Sequence, residues 1–371
     1  MDRPFDLLVR GGTCVLPTGL GRVDLAVSGG KIAAIGDLSR ASADRELDAH
    51  HLHVLPGVID TGSHLRDDGG HALLLGGVTS ALDARPHPST AAALEDKLSR
   101  ARGRAHCDYA FFLAASEHHL DDLDRLERLP GCAGLSLPLG ADDEPLHRAL
   151  SRGFRRVTAS CEPEPHGEPV EAGTAVDLWR ADDDLPRELQ RFLNLARRAG
   201  RRVHLQHVRG AEALALLVGH RDLATVACAA DDLATDDPGA EALWPALRGG
   251  LIEVVHTGAG AASNGVHLLL PTLLEHVHAG RLGLVHAVDL LSAGPARVYN
   301  MARKGRLALG FDADLVLVDL ASEHAHAGAR LHGWPVATVL RGDVVTREGR
   351  LHGNPTGAPV RFSDTLRMVV L

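Results

Sequence analysis

The stretch Leu55-Pro56-Gly57-Val58-Ile59-Asp60-Thr61-Gly62-Ser63-His64-Leu65-Arg66-Asp67-Asp68-Gly69 decides how this chain is read. It reads as a strand entered through Pro56-Gly57. On a strand, positions 62, 64 and 66 point to one face. Two histidines spaced in this way can hold one metal ion. Here His64 and Arg66 stand on that face, and Gly62 brings no side chain to it.

Before this stretch lie short apolar-alternating segments broken by glycine pairs, at 6–10, 23–27 and 31–36. The texture returns at 313–319 and 336–345. Both ends therefore predict antiparallel sheet. Between them, strand-like runs alternate with Ala/Leu/Arg-rich helical segments. The runs fall at 78–83, 108–113, 134–139, 156–162, 202–208, 223–228 and 251–256. Pro138 weakens the third of these as a strand. A helix is expected from Pro186 to Gly200, ending at glycine. The alternation predicts an α/β fold, a (β/α)8 TIM-type barrel with a small β-sandwich domain built from both termini. The expected boundaries are 1–54 and 304–371 for the two parts of the sandwich and 55–303 for the barrel.

The chain has 371 residues, a net charge of −9 and five scattered cysteines with no Cys-x-x-Cys pair. Acidic and basic residues are interspersed, which argues against nucleic acid as a partner. The cysteines predict a reducing cytoplasm without a disulfide framework. No apolar run is long enough to span a bilayer. Twenty-three histidines suggest metal chemistry, but a count alone decides nothing.

Taken with Gly294-Pro295-Ala296-Arg297, Gly305-Arg306-Leu307 and Ala313-Asp314-Leu315-Val316, the opening stretch resembles the dihydroorotases, cyclic amidohydrolases. That resemblance implies zinc chemistry with ligands on several barrel strands. Position by position, much of the ligand set is replaced. Gly62 stands for the first histidine of strand one, Ser136 for the bridging lysine of strand four, and Ser160 for the histidine of strand five. Gly258 stands for the catalytic aspartate of strand eight, and the active-site loop after it looks deleted. Ala230-Asp231-Asp232-Leu233 replaces Pro-His-His-Leu after strand seven, and Arg209 replaces a serine after strand six. His64 and His207 are retained as vestigial ligand positions, and Arg66 as a carboxylate-binding candidate.

Each of these residues also has a plainer reading. His64 and His207 are expected as residual hydrogen-bonded histidines; if a metal is held, Glu162, Cys161 or His256 would join them. His118-His119 and His50-His51-x-His53 are expected to diverge rather than converge on an ion. Cys161 is expected to be an inert thiol more often than a nucleophile. Asp182-Asp183-Asp184 is expected to mark a helix N-terminus, and Asp231-Asp232 a solvated loop.

The reading that follows is a catalytically inactive dihydroorotase-like protein of pyrimidine biosynthesis, with no metal expected. The resemblance implies the aspartate transcarbamoylase catalytic chain as its assembly partner, and a homo-oligomer is expected. One alternative is a divergent mononuclear metal-dependent hydrolase of a cyclic amide, using zinc. The other is a small-molecule-binding barrel that keeps Arg66.

Overall fold

The computed structural model describes residues 5–63, 65, 69–83, 87–115, 120–161, 181–233, 238–258, 265–326 and 329–366. His64, Arg66, Glu162 and the pair His118-His119 lie outside the described residues. The strands in chain order are β1 (Phe5–Arg10), β2 (Thr13–Leu16), β3 (Gly19–Arg22), β4 (Asp24–Ser28), β5 (Lys31–Gly36), β6 (Ala43–Asp48) and β7 (His53–Pro56). These are followed by β8 (Val58–Asp60), β9 (Val78–Asp83), β10 (Asp108–Ala114), β11 (Cys132–Pro138), β12 (Val157–Ser160), β13 (Val203–Gln206), β14 (Ala224–Ala229) and β15 (Ile252–His256). The last are β16 (Leu315–His326), β17 (Ala329–Leu340), β18 (Asp343–Arg347) and β19 (Arg350–Leu351).

Strands β8 to β15 form one eight-stranded parallel sheet in strict sequence order. A helix follows each: His71–Leu75, Ala91–Ala101, Leu123–Leu126, Asp143–Leu150, Ala181–Arg198, Ala211–Val218, Leu243–Arg248 and Leu269–His278. This is the expected (β/α)8 topology. By contacts the chain divides into two compact units, one of residues 1–84, 98–110 and 259–371, the other of 85–97 and 111–258.

In the first unit, a four-stranded sheet β5-β4-β1-β6 comes entirely from the N-terminal part. A seven-stranded sheet β19-β18-β17-β16-β7-β2-β3 draws on both ends of the chain. Leu7, Val9, Leu25 and Val27 pack with Leu315, Leu317 and Val339 into one buried core. The alternation that predicted strands is what supplies this core, because every second side chain faces inward.

The opening stretch is not one strand. Residues 53–56 pair with β16 and β2, and only 58–60 join the barrel. Gly57 makes the passage: a Cβ there would sit 2.1 Å from Thr79 Oγ1. Past Asp60 the strand stops, because the Asp60 carboxylate accepts the Gly62 N–H at 3.1 Å. Gly62 therefore lies beyond the strand rather than on its face. The run 336–345 is likewise a hairpin of β17 and β18, turning where Arg341 and Gly342 take φ of 47° and 83°. Pro138 is tolerated as the last residue of β11, in register with Ser160. The helix expected from Pro186 starts at Ala181, so Asp182-Asp183-Asp184 fall in its first turn.

A buried charge network ties this unit together. The Lys304 ammonium, 6% exposed, reaches Asp314 Oδ2 at 2.6 Å, Asp108 Oδ2 at 2.7 Å and Asp312 Oδ2 at 3.2 Å. Arg341 pairs with Asp108 as well, and Lys31 with Asp312 at 2.7 Å. Burial alone would lower the Lys304 pKa, but Asp314, Asp108 and Asp312 outweigh it and raise it above the ordinary lysine value. The sign follows: a raised folded-state pKa stabilises fully below the unfolded value, about 10.4, and is lost only as pH climbs past it.

Replacing Lys304 by Met removes the ammonium that three carboxylates share. Urea unfolding is expected to show a loss of about 3–5 kcal/mol; a loss below about 1 kcal/mol would mean that Arg341 and Lys31 suffice. The cysteines give a second check. None of the five is in a disulfide, and only Cys161 is not fully buried. Burial pushes the Cys14 and Cys132 thiols up to about 12 and the Cys228 thiol up as well. Iodoacetamide on the native protein is expected to label Cys161 first, read by peptide mass. Equal labelling of Cys14 or Cys132 would contradict the packing.

Candidate active site

The second unit carries β11 to β15 side by side, and their registers define one polar face. Ser136 pairs with Thr158, Thr158 with His204, and His204 with Thr225. One step further along, Pro138, Ser160 and Gln206 align, and Ala229 pairs with His256. Residues two apart share a face, so Ser136, Thr158, Ser160, His204, Gln206 and Thr225 stand together, all buried. The opposite face holds Leu135, Leu137, Val157, Ala159, Val203, Leu205, Val226 and Cys228, as the helix-covered side of a barrel requires. A barrel interior is usually packed with branched apolar residues. This one is hydroxyl, amide and imidazole, which suits a polar ligand.

At the C-terminal strand ends two histidines meet. Strand β13 ends at Gln206, and His207 takes the left-handed conformation with φ of 60°. That conformation costs a non-glycine residue on the order of 1 kcal/mol or more. Its ring meets the ring of His256, the last residue of β15, edge to face with centroids 4.4 Å apart. Both histidines are buried. His256 Nδ1 lies 2.7 Å from the Thr257 carbonyl oxygen. A carbonyl only accepts, so Nδ1 carries the proton, and in the neutral ring the lone pair sits on Nε2. Orientation of this kind, by a backbone carbonyl on the far nitrogen, is how metal-binding histidines are held.

The neighbours set the charge. His204 lies one row below, 2.8 Å through Nδ1 from Thr225 Oγ1. Burial, then Arg156 and His256, hold its pKa well below the ordinary histidine value, so it is neutral at pH 7. Asp232 is partly buried, which raises its pKa, while Arg209 and His256 pull the other way. Arg209 Nε approaches Asp232 Oδ1 at 3.4 Å. The expected solvated loop at 231–232 is instead a short helix, Ala230–Leu233, with Asp231 exposed and Asp232 anchored.

The replaced positions now have places. Ser136 is on the polar face, where its hydroxyl offers no amine to carbamylate. Ser160 is the last residue of β12, and Cys161 follows it with its N–H donated to the Gln206 carbonyl at 3.0 Å. Gly258 lies two residues beyond β15. His50 is taken up by Asp48 at 2.5 Å.

Among the described residues, no three His, Cys, Asp or Glu side chains come together as a metal-binding group. A catalytic zinc takes three protein donors. The donor set includes the two imidazoles His207 and His256, which suit zinc or a similar divalent ion. A two-ion centre bridged by a carbamylated lysine does not fit Ser136. His256 carried little weight in the sequence. The signal for His256 is its place at the end of the last strand run, two residues before Gly258.

Residues 186–345 match the model of the amidohydrolase family. An allantoinase of Rubrobacter xylanophilus is 28% identical, over 96% of this chain and 98% of its own length. A D-hydantoinase of Ralstonia pickettii is 26% identical, over 95% and 97%. The alignment with the allantoinase runs over 458 positions, so that relative carries segments which this 371-residue chain lacks. The solved L-hydantoinase (dihydropyrimidinase) from Arthrobacter aurescens superposes with a TM-score of 0.80 at 22% identity, covering 94% of this chain and 98% of its own. This likeness confirms the barrel fold.

These findings correct the functional expectation. An inactive dihydroorotase-like protein serving pyrimidine biosynthesis beside aspartate transcarbamoylase is not what the chain resembles over its length; allantoinases and hydantoinases are. That expectation rested on the replacements at positions 62, 136, 160 and 258. No helix among the described residues is long and apolar enough to cross a membrane. The amidohydrolase model over 186–345 and the allantoinases and hydantoinases matched along nearly the whole chain are thus what this chain is similar to, on a barrel fold that the solved L-hydantoinase shares.

Proposed function

We propose that this protein hydrolyses the ring C–N bond of a cyclic amide or ureide of the hydantoin class, with one divalent metal ion. The observation that carries the reading is the His207–His256 pair at the C-terminal strand ends of β13 and β15, in a chain similar to allantoinases and hydantoinases over nearly its whole length. His207 and His256 are the described residues that would hold the ion, and imidazole nitrogens suit zinc or a similar divalent ion. When bound, such an ion lowers the pKa of water and polarises a carbonyl.

The chain's own residues do the rest. Thr257 fixes the His256 tautomer through its carbonyl. Neutral His204, below the pair, adds no positive charge to the site at pH 7. Ser136, Thr158, Ser160 and Gln206 line the strand face with donors and acceptors of the kind that a planar ureide ring presents. Arg209 holds Asp232 in place beside His256.

The test is turnover of hydantoin, allantoin and dihydrouracil by protein purified from zinc-supplemented cells. Ring opening of at least one is expected, abolished by His207→Ala and by His256→Ala with the fold intact by circular dichroism. A folded, zinc-loaded protein that opens none of the three would overturn the reading.

A further inference from the structure

Hydrolysis of a ring amide also needs a group to carry a proton from water to the leaving nitrogen. The barrel places such groups at the C-terminal ends of its strands. At the end of β15 the backbone reaches Gly258, which has nothing to offer. Its surroundings are informative: a Cβ built on Gly258 would lie 3.2 Å from Asp231 Oδ2 and 3.3 Å from the Ala229 Cβ. The carboxylate of Asp231, carried by the segment that follows β14, thus occupies the space a side chain at 258 would enter. Ala229 is the register partner of His256, so this space adjoins the buried histidine pair. Asp231 itself is exposed, whereas Asp232 next to it turns to Arg209. Of the two adjacent acids, one is anchored and the other is open to a ligand.

We infer that Asp231 is the proton-transferring catalytic residue of this site, supplied from strand seven over the bare end of strand eight. The inference rests on the hydrolase reading above. The Asp231 carboxylate takes one proton from the attacking water as the C–O bond forms. It returns that proton to the ring nitrogen as the C–N bond breaks. The carboxylate is regenerated, and one water is added across the amide.

Gly258 is outside the left-handed region, so its backbone accepts a side chain and the carboxylate can be moved. On the zinc-loaded full chain, with the cyclic ureide that turns over best, Asp231→Asn and Asp231→Ala are expected to lower kcat about 10²–10⁴-fold, with KM within about threefold. Adding Gly258→Asp to Asp231→Ala is expected to restore kcat at least about tenfold, since the carboxylate returns to the same space from the other strand. A kcat for Asp231→Asn within about threefold of the parent overturns the role, and so does failure of the transplanted carboxylate to rescue. Thermal unfolding gives a readout without substrate. Gly258→Asp is expected to lower Tm about 2–4 °C more in the parent than in Asp231→Ala, because two carboxylates then share one space. If the parent turns over no ureide yet the two positions are coupled, the hydrolase reading falls and the catalytic role with it. If they are uncoupled, the placement of Asp231 is itself wrong.

Discussion

A single ammonium group underlies much of the architecture of the first unit. Lys304 is 6% exposed and within 3.2 Å of carboxylates from Asp108, Asp312 and Asp314. Asp108 opens β10, Asp314 immediately precedes β16, and Arg341 sits at the turn from β17 to β18. One cation therefore fixes the start of a barrel strand and the return of the chain into the terminal sheets. Burying such a cluster is costly unless every charge is met. Here Arg341 and Lys31 complete the pairing, so strands far apart in sequence are held at defined positions.

In the proposed reading the barrel changes its donors and keeps the form of its chemistry. Positions 136, 160 and 258 hold serine, serine and glycine, so three of the expected groups are gone. The strand ends nevertheless bring together an oriented His256, a left-handed His207 and an open carboxylate at Asp231. In that reading the useful unit is the C-terminal rim of the sheet, where Asp231 from the segment after β14 lies against Gly258 beyond β15.

The fold was legible because strand alternation and glycine or proline punctuation are local signals. β1, β4, β5 and the barrel strands fall close to where the apolar runs put them. The run from Lys304 to Asp314 was legible as a pattern, and its meaning is the buried charge network. What could not be read depends on contacts between strand ends. Nothing local tells that His207 adopts positive φ, that its ring meets His256, or that Asp231 covers Gly258. The opening stretch was read too long for a related reason: the bond from Gly62 to the Asp60 carboxylate ends the strand, and a pattern of alternating residues does not reveal where such a cap forms.

On the proposed reading His207 and His256 belong to a working metal site rather than a remnant. Metal content measures this most directly, on protein from zinc-supplemented cells purified without chelator and quantified by mass spectrometry. Close to one zinc per chain is expected, lost in the His207→Ala/His256→Ala double variant while the fold persists. Folded protein that carries no metal, or a double variant that keeps it, would mean that the two histidines are a remnant.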